Sequence, residues 1–152
     1  MTNSGPLQGK LVGANDVTAP ALGALSARFV SRGWTAMGDV VGERAAASLL
    51  QYMARAAAID VASEEGRPAT ILAALGAAAE RIPFTFRLVA QSAQRIEVEW
   101  HGGAARLPMQ LRTQFARGLF QGILAATPEG AGWGVMVVDE PKPMIVLARG
   151  MI

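Results

Sequence analysis

The chain has 152 residues, of which 51% are apolar and 17% charged, with seventeen Gly, eight Pro and no Cys. That length predicts one domain with enough chain to bury its own core, and the apolar fraction excludes general disorder. Without Cys there is no disulfide, thiolate zinc site, iron–sulfur cluster or cysteine nucleophile.

Fourteen basic residues face twelve acidic ones, for a net charge of +2. Twelve of the fourteen are Arg, which keeps its proton to very high pH. They are scattered, as at Arg28, Arg44, Arg81 and Arg117, and form no run. A nucleic-acid binder concentrates its positive charge on one stripe, so no nucleic-acid partner is expected. No apolar run reaches 18 residues without a charge, so no membrane span is expected. The start of the chain lacks the basic and then apolar pattern of a signal peptide, and a cytoplasmic location is the expectation.

Residues 1–17 read as a flexible N-terminal arm and 18–152 as a single α+β domain. Thr18 before Ala19-Pro20 starts a first helix, with Leu22, Leu25 and Phe29 at helical spacing and Gly33 as its stop. A long helical segment follows from about Thr35 to Val61. Met37, Val40, Val41, Leu49, Tyr52, Met53, Ala56 and Ile59 mark its expected buried side. Gly38 and Gly42 weaken its first turns, so the start also fits nearer Glu43. Pro68 opens a third helix carrying Ile71, Leu72, Leu75, Ala78 and Ala79 on one face, and Pro83 ends it.

The period then changes to two. Phe84, Phe86, Leu88 and Ala90 alternate with Thr85, Arg87 and Val89. Ile96, Val98 and Trp100 alternate with Arg95, Glu97, Glu99 and His101. With Gln91 to Gln94 as the link, this predicts an antiparallel hairpin, apolar on one face and charged on the other. Pro108 opens a fourth helix to about Ala126, with Leu111, Phe115, Leu119 and Gly122 along one face. Gly118 and Gly122, four apart, let a neighbouring backbone come close. A second hairpin is expected from Trp133 to Val138 and Met144 to Arg149, covered on both faces. The expected fold is α+β and two-layer: a four-stranded antiparallel sheet with helices packed on one face.

Groups for catalysis are sparse. His101, the one His, reads as a general base, as an axial ligand to a haem-like group, or as an exposed strand-end residue. Glu97 and Glu99, about 7 Å apart on one strand face, suit a carboxylate pair or surface pairing with Arg95 and Arg87. Asp39 and Glu43 suit charges at a helix start. The Gly76 stretch lacks the spacing of a phosphate loop, and no Gly-x-Ser-x-Gly elbow occurs. No catalytic residue, metal site or cofactor is assigned. The aromatic and Met inventory is richer. Trp34, Met37, Tyr52, Phe86, Trp100, Phe115 and Leu119 are the candidate lining of an apolar ligand cavity between helices and sheet.

Phe115-Ala-Arg-Gly118-Leu-Phe-Gln-Gly122-Ile-Leu, followed by Val135-Met-Val-Val-Asp139-Glu140, resembles the glycine-bearing helix and acid-ended strand of the four-vinyl reductase, or hydrocarbon-binding, domain family. The resemblance spans about Ala19 to Arg149. It implies the fold of small subunits of the TRAPP tethering complex and a dimeric domain that senses or carries an apolar small molecule. Many members of that family carry cysteines near the final strands, and this chain has none. Three functions are therefore weighed. The first is an apolar or aromatic small-molecule binding domain acting as sensor, carrier or accessory protein. The second is a homo-oligomeric interaction module, with a homodimer as its simplest form. The third is an enzyme working through His101 with Glu99 or Arg87.

Overall fold

A computed structural model of the chain describes residues 32–33, 35–81, 85–101, 109–138 and 142–150. The expected arm, 1–17, and the first helix up to residue 31 lie outside the described residues, as do Phe84 and Pro83.

Residues 32–33 and 35–41 are helical, so Gly33 is not a stop. The break comes at Gly42, whose φ of 93° lies in the left-handed region that side-chain-bearing residues avoid. Helix α1, Glu43–Ala62, starts directly after it. Its buried residues are Ala46, Leu50, Ala54, Ala58 and Ala62. The stripe expected to be buried is instead mostly in solvent: Tyr52 is 67% exposed, Met53 55% and Leu49 44%, and Ala56 is exposed too. The reason is distance. Alanine lets another helix approach closely, and α3 takes that face.

Helix α2, Ile71–Ala79, begins three residues after Pro68, because Thr70 is its cap. The Thr70 hydroxyl accepts from Ala73 N at 3.1 Å, satisfying one of the open N–H groups of the first turn. Thr70→Ala is expected to cost about 1 kcal/mol in urea denaturation. A second N–H of that turn, on Ile71, donates to Glu129 Oε1 at 2.7 Å, which ties α2 to a turn 58 residues further along.

Strands β1, Thr85–Gln91, and β2, Arg95–His101, form the first hairpin. The register shifts between Leu88 and Ala90, so the alternation expected through Ala90 stops at a bulge, and Val89 is 45% exposed. Helix α3, Met109–Ala125, runs into a short 3-10 turn, Pro128–Gly130. Strands β3, Trp133–Val138, and β4, Met144–Arg149, close the second hairpin within the expected bounds. The two hairpins join through β2 and β4 into one antiparallel sheet ordered β1-β2-β4-β3. The fold is α+β with an open four-stranded sheet.

One core unites these elements. Leu88, Ile96, Val98, Ile145 and Leu147 project from the sheet onto Ile71, Leu75, Phe120 and Ile123 of α2 and α3. The opposite sheet face is less open than alternation predicts. Glu99 is only 3% exposed and Val146 only 4%. Neither is β3 covered on both faces, since Met136 is 41% exposed. Among the described residues no helix is long and apolar enough to cross a membrane.

Candidate functional site

Where α3 ends, the chain turns twice in quick succession. Thr127 caps the 3-10 turn, its hydroxyl accepting from Glu129 N, and Pro128 occupies the first turn position. This swings the chain away from the helix axis before β3 begins. The polar link between α1 and α2 passes nearby, held by the Ile71 N–H to Glu129 contact. Between them lies an open groove of about 340 Å³. Its walls come from Leu124, Ala125, Pro128, Ala131 and Trp133, with Arg67, Gln121 and Thr127 as further polar residues.

The hydrogen-bonding capacity there is one-sided. Gln121 Oε1 accepts from Gln51 Nε2 at 3.0 Å, and the Gln121 amide nitrogen carries two further donors. The Trp133 indole N–H is buried and, among the described residues, has no acceptor. Arg67 is exposed, and no carboxylate among the described residues pairs with it. The acids nearest Arg67 in sequence, Glu64 and Glu65, pair with Arg81, and Glu129 accepts from Ile71 N.

Of the seven residues expected to line a cavity, the side chains of four, Met37, Tyr52, Phe115 and Leu119, are described. Trp34 lies outside the described residues, and the side chains of Phe86 and Trp100 do as well. Backbone pairing does place Phe86 opposite Trp100. Met37 is half-buried, and Tyr52 points to solvent on α1. Leu119 is a core residue at 5% exposure, with Phe115 packed against the same core. Of the seven, Met37, Tyr52, Phe115 and Leu119 are not among the groove's lining residues. Arg67, Gln121 and Leu124 carried no sequence signal as a set, because a turn more than fifty residues before Gln121 supplies the cation. Trp133, at the start of a strand and next to a glycine, was the one visible clue.

The carboxylate pair on β2 serves structure. Arg95 Nε reaches Glu97 Oε2 at 2.7 Å, and Arg87 Nη2 reaches Glu99 Oε1 at 3.0 Å. Lys142 Nζ meets the other Glu99 oxygen at 2.5 Å. The pairing with Arg87 was expected at the surface, but Glu99 sits inside. His101 ends β2, and its side chain is outside the described residues. Among the described residues no group of three or more His, Asp or Glu gathers as a metal site.

A second surface stands out on α1. Ala45, Leu49, Tyr52, Met53 and Ala56 are exposed at helical spacing, forming one apolar stripe, and Val41 before the break at Gly42 is exposed too. Val40, just before it, is 83% exposed. Comparison with protein-family models, curated proteins and solved structures gives no match to this chain.

Proposed function

We infer that the protein works as a self-associating interaction module, with the outer stripe of α1 as its contact with a second copy. The observation that carries this is the run of exposed Leu49, Tyr52 and Met53 on a helix already buried along its other side. Scattered apolar residues are ordinary on a surface, but a contiguous stripe of large ones marks an interaction site. The stripe interleaves large side chains with Ala45 and Ala56, which suits self-complementary packing about a two-fold axis. Aromatic residues and Met are the types enriched in such contacts.

Light scattering across dilution tests the reading. The parent chain is expected to show a dimer that dissociates on dilution. Met53→Glu should give a monomer at every concentration with an unchanged far-UV circular dichroism spectrum, since the side chain is 55% exposed in the folded chain. A parent that stays monomeric at high concentration refutes the reading.

Small-molecule binding remains a second reading, supported by the groove beside Trp133 and by the resemblance to the hydrocarbon-binding family. In the seam first considered for a ligand, Phe120, Ile71, Leu75 and Ile123 are fully buried against the sheet.

A further inference from the structure

We propose that the groove at the end of α3 binds a small monocarboxylate with an apolar body. The argument rests on what the groove offers and what it lacks. Its walls are apolar, from Leu124, Ala125, Pro128 and Trp133. Its polar side chains are Arg67, Gln121, Thr127 and Trp133, each able to donate, and the Thr127 hydroxyl also accepts from Glu129 N. The Arg67 guanidinium can only donate, and no acid borders the groove. The Gln121 carbonyl already accepts from Gln51, and its amide nitrogen adds donor capacity. The Trp133 indole N–H is a third donor, buried on a groove-lining residue without an acceptor among the described residues. Buried donors are nearly always satisfied in folded proteins, so an orphan beside a groove points to an acceptor that arrives from outside.

Charge and shape then set the ligand class. A cation flanked by neutral donors favours an anion, and a carboxylate matches a guanidinium with two parallel hydrogen bonds. A volume of about 340 Å³ is at the small end of ligand sites, which suits a body of about one ring. The site is held in shape by the Ile71 N–H to Glu129 bond, which links the segment carrying Arg67 to the 3-10 turn. It uses none of the α1 stripe residues, so it stands or falls apart from self-association.

The experiment is an NMR titration of the full chain, uniformly labelled with ¹⁵N, using phenylacetate, phenylacetamide and phenethylamine as probes. The Trp133 indole resonance is assigned from the spectrum of Trp133→Phe. Phenylacetate is expected to shift that resonance saturably, with phenylacetamide weaker and phenethylamine without effect. Arg67→Gln, at an exposed position, should weaken phenylacetate about tenfold while leaving the rest of the spectrum in place. Equal shifts for acid and amine would overturn the proposal, as would an Arg67→Gln chain that binds phenylacetate as tightly as the parent. No saturable shift of the Trp133 resonance with millimolar phenylacetate overturns it as well.

Discussion

Gly118→Ala is expected to destabilise the protein by about 3 kcal/mol, although alanine is the better helix former by about 1 kcal/mol. A Cβ at Gly118 would stand 2.1 Å from Gln51 O, and one at Gly122 would stand 2.3 Å from Arg55 O and 2.7 Å from the Ala58 methyl. Two of those three obstacles are carbonyl oxygens of α1, which cannot rotate aside as a side chain does. The helices must separate, and the contacts of Ala54 and Ala58 along their seam weaken with them. In a chain of this length that loss lowers Tm by about 10 °C. Gly33→Ala is the control. It is a helical glycine with nothing within 4 Å of its would-be Cβ, so its stability should hold or rise. Equal urea midpoints for Gly118→Ala and the parent would sink the close-approach explanation.

The next largest effect is expected around Glu99. Its side chain is 4% exposed, while Arg87 keeps 39% and Lys142 56%. The cations can turn back to water when their partner is lost, but the carboxylate cannot. Removing the carboxylate should therefore cost less than stranding it. We expect Glu99→Gln to cost about 1–2 kcal/mol. Arg87→Ala and Lys142→Ala should each cost about 1 kcal/mol, because one cation remains in place. The double substitution takes both of these cations from a buried carboxylate and should cost more than the two singles together. A double-mutant cycle in urea checks this, and strict additivity would contradict it.

The first hairpin was legible because a period of two is visible in a strand with one buried face, and the second because two consecutive apolar runs flank a Pro-rich link. Trp133 to Val138 and Met144 to Arg149 appear with those bounds in the structure. The glycine ridge of α3 was legible for a similar reason: two glycines four apart in a helix have few uses other than close approach. The burial of α1 was misread because large apolar side chains were weighed above small ones. At a helix contact built on Gly118 and Gly122, only the Ala46, Ala54 and Ala58 side fits, and the bulky stripe is turned outward. Glu99 was misread because alternation assigns a face to a residue but does not say how well that face is covered. The charge that meets it, on Lys142, arrives from another hairpin. The groove was illegible for the same reason, since Arg67, Gln121 and Trp133 converge only after the chain has folded.

The junction between the hairpins bears on the order of folding. Each hairpin closes over a few residues, so its ends meet at little entropic cost. The partners of β2 on β4 lie about fifty residues downstream, with α3 and β3 in between. That pairing cannot form until the intervening helix has swung across the sheet, so the hairpins are early, local structures and their union is the late and slow event. The wedge of Phe120 and Ile123 against Val98 and Ile145 is then expected to be the last part of the interior to become dry.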